Sequence, residues 1–307
     1  MLKEVLEFLD IKPNHWYIDC NLGGGGHTKT ILEKGGNVIG IDLDPDAISE
    51  VSKNLKEYID SNRLILTQNN FINLKEILNS SFMIHNSITG ILFDLGVSSF
   101  QLETGERGFS FNKDAPLDMR MDQNSNTATA KDLINGLHEG ELSELFWKLG
   151  EENFSKPIAK KIVEYRKNKQ IETTNELANL ILSVRRRTPS DRTHPATRVF
   201  QALRIAVNDE LNTLREALPQ AFEVLEPGGH LVVISFHSLE DRIVKNFFNS
   251  LVSHSGAKQS GAIESLAKAN ILTKKPIEPT EEEILKNPRS RSGKLRAIEK
   301  LQTVVNL

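Results

Sequence analysis

Apolar positions along the chain change period several times, and each change marks an element. Leu2, Val5, Leu6 and Leu9 recur at the spacing of one helical face, and Pro13 closes that segment. In the stretch 17–43, YIDCNLGGGGHTKTILEKGGNVIGIDL, a short β-rich run ends in a glycine-dense turn. A helical stretch follows, and a second apolar run at 38–41 leads to an acid. This is the pattern of a βαβ unit. Asp44 and Pro45 then open a helix with Ala47, Ile48, Val51 and Leu55 on one face. Residues 64–66 read as a third short strand, followed by a loop of Asn69, Asn70 and Phe71. The run ITGILFDL at 88–95 is apolar almost without interruption, as in a central strand buried on both faces.

From Arg107 both periods disappear. RGFSFNKDAPLDMRMD mixes glycine, proline, charge and aromatics, which suits a functional loop. Residues 130–187 then read as successive helices over 132–137, 141–149, 154–167 and 175–186, with no strand signal between them. After TPSDRTHPATR comes a single predicted helix carrying Val199, Leu203, Val207, Leu211, Leu214 and Leu218, broken or kinked at Pro219. Pro227, Gly228 and Gly229 make a turn into a strand over 230–236. Ser238 and Asp241 fit a capping box that opens a helix through Phe247 and Leu251. Residues 253–269 read as loop with some helix, and 271–276 is expected to pair antiparallel with 294–298. The predicted fold is α/β: a Rossmann-like sheet over 1–106 and 196–307, interrupted between its fourth and fifth strands by an all-helical domain over 107–195.

Composition narrows the class. A chain of 307 residues with 38% hydrophobic and 26% charged content is that of a globular protein with a full core, and no apolar run approaches a membrane span. The start, MLKEVLEFLDIKP, lacks a basic region followed by an apolar core, so a cytoplasmic protein is expected. Cys20, the single cysteine, excludes an internal disulfide and a thiolate zinc site, and no metal is expected. A net charge of −3 argues against indiscriminate nucleic-acid binding. RNA contacts then fall to local patches: Arg185, Arg186, Arg187 and Arg192, and a tail with Lys286, Arg289, Arg291, Lys294, Arg296 and Lys300.

The candidate chemistry gathers at the glycine turn. Gly23 to Gly26 let backbone approach a ligand closely. Asp42 stands nineteen positions after Gly23 at a strand end, where a carboxylate accepts ribose hydroxyls. A dinucleotide fingerprint would need a third glycine where Thr28 stands. The spacing D-x-x-x-G-x-G from Asp19 to Gly25 instead matches the first motif of S-adenosylmethionine methyltransferases. A glycine cluster alone is also what a tight turn requires, and Asp42 in register weighs against that bland reading. Asp94, Ser98, Ser99 and Gln101 follow the central strand and should face the same cleft. Phe71 reads equally as a platform for adenine or as a core aromatic.

Three stretches together resemble one family: NLGGGGHT; DLGVSSFQL with RGFSFNKDAPLDMRMD; and HPATRVFQALRIAVNDEL with PGGHLVVISFHSLEDRIVK. They are similar to the bacterial ribosomal small subunit RNA methyltransferase H family, also called MraW, over about residues 2–301. The resemblance implies methyl transfer from S-adenosylmethionine to the exocyclic N4 of a cytidine in the decoding centre of 16S RNA within the small ribosomal subunit. It implies cofactor contacts at Gly25, Gly26, His27, Asp42, Phe71, Asp94 and Gln101. Members begin with a His-x-Pro/Ser-Val-type segment before the first helix, and this chain starts at Met1 within it. N4 methylation is a direct displacement that needs no covalent enzyme intermediate, which suits a chain whose one cysteine sits in a strand. Asp118, Arg120 and His237 are the candidate substrate contacts, with Phe109, Phe111 and Arg242 as further ones. The usual N-methylating motif of an acid or Asn, two prolines and an aromatic is absent, so no catalytic residue is assigned. The rival readings are a nicotinamide dehydrogenase, against which Thr28 argues, and a non-catalytic ribosome-binding factor.

Overall fold

The computed structural model describes residues 1–79, 87–96, 107–191, 193–252 and 267–302. Gln101, Ser98, Ser99 and Arg192 lie outside the described residues. In chain order the first part runs α1 (Leu2–Leu9), β1 (Trp16–Asp19), α2 (Gly26–Glu33), β2 (Asn37–Asp42), α3 (Pro45–Asn54), α4 (Lys56–Asp60), β3 (Leu64–Gln68), α5 (Leu74–Asn79) and β4 (Ile88–Asp94). Among the described residues five helices follow: α6 (Ala130–Gly136), α7 (Glu139–Gly150), α8 (Ser155–Arg166), α9 (Thr174–Val184) and α10 (Thr197–Asn208). The chain then returns through α11 (Glu210–Val224), β5 (Leu225–Ser235), α12 (Ser238–Leu251), β6 (Ala269–Ile271), α13 (Glu281–Lys286) and β7 (Lys294–Lys300).

The seven strands form one sheet in the order β3-β2-β1-β4-β5-β7-β6. β1 to β5 are mutually parallel, and β7 runs antiparallel between β5 and β6. The fold is therefore the expected Rossmann-like α/β sheet with an all-helical insertion after β4. The order reverses between β1 and β4, which opens a crevice at the carboxyl ends of those two strands. Parallel strands covered on both faces need apolar side chains throughout, and β4 is buried from Ile88 to Phe93. Close packing there leaves no spare volume: a Cβ at Gly90 would lie 2.7 Å from Cδ1 of the fully buried Tyr17.

Contacts divide the chain into two units, 1–96 with 211–307, and 97–210. The insertion therefore extends beyond the 107–195 read from the pattern, and α10 explains the later end. Its Val199, Phe200, Ala202, Leu203 and Val207 are buried in the helical unit's core with Phe146, Ile158 and Ile181. The continuous helix expected through Leu218 is instead two helices. The break falls at Asp209, whose φ of 48° is left-handed, and Pro219 sits inside α11. A second correction concerns the start of α12. The capping box is one residue earlier than Ser238 and Asp241: His237 is the N-cap and Glu240 its partner. The last antiparallel pair also shifts, with β6 at Ala269–Ile271 preceding the expected 271–276.

Candidate active site

The crevice at the ends of β1 and β4 is built by backbone first. Cys20 N donates to Leu92 O at 2.9 Å, which ties the exit of β1 to β4. The chain then turns through Gly23 (φ 49°) and Gly25 (φ 74°) into α2. Gly25 has two reasons to be glycine: its left-handed backbone, and Val51 Cγ2, which would lie 2.9 Å from an added Cβ. Gly24 and Gly26 have no such internal reason, since a Cβ on either would meet nothing within 4 Å. The open side of this turn is where a ligand can reach backbone.

Three carboxylates stand at successive strand ends. Asp42, closing β2, accepts Gly23 N on Oδ2 at 2.8 Å and Asp44 N on Oδ1 at 2.9 Å, so its plane is fixed. Burial raises its pKa, and those backbone donors pull it back. Asp19, closing β1, is 1% exposed and accepts Thr28 Oγ1 at 2.7 Å. Burial pushes its carboxyl up to about 6, against the opposing pull of His27 and Thr28. Asp94, closing β4, places Oδ2 3.4 Å from His27 Nε2. For His27, burial favours the neutral ring, but the Asp94 hydrogen bond and charge, with the charge of Asp19, outweigh it and raise the pKa.

This cluster also holds buried polar atoms without a partner. Asn21 Oδ1, His27 Nδ1 and Asp94 Oδ1 are all inaccessible and make no hydrogen bond among the described residues. Such orphans cost on the order of 1–3 kcal/mol each, so three beside one glycine turn mark a place where a polar ligand completes the structure. They offer acceptors from Asn21 and Asp94 and, with His27 protonated, a donor from Nδ1. Phe71 enters from the loop after β3. Its ring meets Phe93 edge-on at 5.3 Å between centroids and packs against the sheet core while staying only partly buried.

The other candidates do different work. Asp118 and Arg120 bind each other: Arg120 Nε and Nη2 donate to the two carboxylate oxygens at 2.8 Å, and Nη1 donates to Ser125 O at 2.6 Å. Asn208 clamps the same loop by accepting Met121 N and donating to Met119 O, each at 2.8 Å. Met119 has a left-handed φ of 64°, and Arg107 donates to the carbonyls of Arg120 and Met121. Phe109 lies under the Arg107 guanidinium, and Phe111 lies tilted against His194 and meets Phe200 edge-on. The loop is thus held by its own side chains together with Asn208, His194 and Phe200 from beyond it. His237 is 8% exposed and spent on the helix start, with Nδ1 accepting Glu240 N at 3.4 Å and Nε2 lying 3.1 Å from Glu240 Oε1 without hydrogen-bond alignment.

A profile of the MraW methylase family matches residues 1–301. The chain belongs to the MraW methylase family. Ribosomal RNA small subunit methyltransferase H of Brevibacillus brevis is 45% identical over 312 residues, covering 98% of this chain and 96% of that protein. Two solved structures align over 98% of this chain and 97% of their own with 13% identity and a TM-score of 0.45. One is a putative rRNA-methylase from Clostridium thermocellum, the other a putative methyltransferase from Streptococcus mutans in complex with SAH.

In this MraW-family chain two residues of the crevice escaped the sequence reading. Thr28 counted only as a missing glycine, yet its buried hydroxyl holds Asp19. Asn21 left a weak signal, an amide between the strand acid and the first glycine. Its orphaned oxygen becomes visible only when the burial of the turn is known.

Proposed function

We propose that the protein transfers a methyl group from S-adenosylmethionine to the exocyclic N4 of a cytidine in 16S ribosomal RNA, acting on the small ribosomal subunit in the cytoplasm. The observation that carries the reading is the trio of orphaned atoms on Asn21, His27 and Asp94 beside the glycine turn, in a chain of the MraW methylase family. Its donor set fits an amino-acid zwitterion: an imidazolium for a carboxylate, and two acceptors for an ammonium. The cofactor supplies an electrophilic sulfonium methyl.

The chain's residues bind and orient. Backbone at Gly25 and Gly26 admits the cofactor, Asp42 receives ribose hydroxyls, Phe71 lies against the base, and Asp94 and His27 hold the amino-acid end. Gln101 completes the set carried by the family resemblance. Asp118, Arg120 and Asn208 shape the loop of the inserted domain that meets RNA, and His237 orders the chain leaving β5. A weakly nucleophilic aromatic amine needs aim and exclusion of water more than a strong base, since its proton leaves after transfer.

The test is incubation of the protein and labelled S-adenosylmethionine with small subunits lacking the modification, followed by digestion and mass spectrometry of nucleosides. Label in N4-methylcytidine is expected; label only elsewhere in the RNA overturns the target. Asp42→Ala should weaken cofactor binding by about 1–3 kcal/mol in calorimetry, the cost of losing buried hydrogen bonds. Unchanged affinity removes Asp42 from the site.

A further inference from the structure

A single exposed hydrophobic side chain is ordinary, whereas exposed aromatics gathered with charge at one place suit a binding face. Among the described residues the exposed large hydrophobics are Leu2, Leu285, Trp147 and Phe154. The two aromatics flank one turn of the helical unit: Trp147, 56% exposed, near the end of α7, and Phe154, 44% exposed, just before α8. Phe154 is held in place. Its N–H donates to Glu152 Oε1 at 2.8 Å, and its carbonyl accepts Ile158 N at 3.0 Å.

The ring has a cation over it. Arg185, at the end of α9, sets its guanidinium carbon 5.7 Å from the Phe154 centroid, and its Nη2 donates to Asp191 Oδ1 at 2.6 Å, which pins the guanidinium. Arg186 and Arg187 follow, both exposed. The surrounding run, residues 184–198, carries five arginines and one acid in a chain of net charge −3. A run this basic is repulsive to itself and complementary to a polyanion.

We propose that Phe154, Arg186 and Arg187 form a docking surface for single-stranded RNA, one base stacking on the exposed phenyl ring that Arg185 backs while Arg186 and Arg187 meet phosphates. The inference rests on the RNA substrate proposed above and adds where the helical unit grips it. A partly exposed aromatic with an arginine against it suits an unpaired base, because every base has a face to stack and A-form duplex presents none. The arginines supply the sequence-independent attraction.

The experiment uses the full chain and two variants, Phe154→Ala and the double variant Arg186→Gln with Arg187→Gln. All are exposed positions, and an unchanged cofactor affinity reports intact folding. Binding of a short fluorescein-labelled single-stranded RNA is followed by anisotropy across a salt series, with a duplex of the same sequence alongside. Phe154→Ala should weaken single-strand binding about tenfold and spare the duplex. The double variant should reduce the slope of log affinity against log salt by about 1.4, that is, about 0.7 for each lost phosphate contact.

Single-strand affinity and slope equal to the parent's in both variants overturn the proposal. So does sedimentation showing a parent dimer that Phe154→Ala dissolves, which assigns the face to a second copy of the chain. The outcomes separate from those of the methylation reading. RNA binding that needs this surface in a protein that methylates no ribosomal RNA removes that reading and leaves this one. Methylation of small subunits with unaltered apparent affinity in both variants does the reverse.

Discussion

The crevice of the sheet unit and the long loop of the helical unit solve opposite problems with the same residue types. In the loop, Arg120 finds all its partners nearby in sequence, at Asp118 and Ser125, and Asn208 closes the backbone. In the crevice, Asn21, His27 and Asp94 each keep a buried polar atom unsatisfied among the described residues, and burial pushes the Asp19 carboxyl up to about 6. A polar group that is satisfied internally stabilises the fold and has little left for a ligand. One left short weakens the empty protein and strengthens the bound one. What sets the crevice apart is three such atoms together, since single ones also occur at Glu152 Oε2 and His237 Nε2.

That contrast can be broken by substitution, and the largest effect is expected at Asp19. Its folded pKa of about 6 lies above the ordinary 3.8. Below about pH 4 both states hold the proton; as pH rises to 6 the unfolded chain releases it first, so stability falls and then levels. The deficit at pH 8 is about 3 kcal/mol from a shift of about two units. Asp19→Asn should therefore raise the stability of the cofactor-free protein toward that amount at pH 8, with the gain vanishing near pH 4 in urea titrations. A variant that is less stable at both pH values would show that Asp19 is scaffold.

Asp94→Ala should weaken S-adenosylmethionine binding about 100-fold, or about 2.7 kcal/mol, while leaving the melting temperature of the cofactor-free protein unchanged or higher. A melting point that falls with affinity intact would place Asp94 with the loop residues. Arg120→Ala should do the reverse, costing about 2 kcal/mol of stability by stranding the Asp118 carboxylate and the Ser125 carbonyl, with cofactor affinity within twofold. Asn208→Ala is the smallest of the set, at about 1–2 kcal/mol, and should be additive with Arg120→Ala only if the two clamps act separately.

Much of the fold was legible because it rests on local rules. The apolar run of 88–95, the glycine turn after Tyr17 and the Asp44–Pro45 helix start all stand where the pattern puts them, since burial on both faces, positive φ and capping leave direct marks in sequence. Within the candidate site, Gly25, Asp42 and Asp94 were legible for the same reason: strand ends and glycine turns are where such a sheet opens.

What failed was decided by packing. The apolar stripe from Val199 to Leu218 is unbroken in sequence, yet Asp209 takes a left-handed turn so that α10 buries its face in the helical unit and α11 packs its own against the sheet. The cap of α12 moved one residue because Glu240 reaches back to the N–H groups of Phe236 and His237, a choice that spacing alone leaves open. The sequence by itself thus determined the alternating elements, the glycine turn and the carboxylates at strand ends, because each obeys a rule a few residues long. Only the tertiary structure decided which unit owns α10, that Asp118 and Arg120 spend themselves on each other, and that Asn21, His27 and Asp94 go unsatisfied. Those outcomes depend on desolvation by residues far away in the chain.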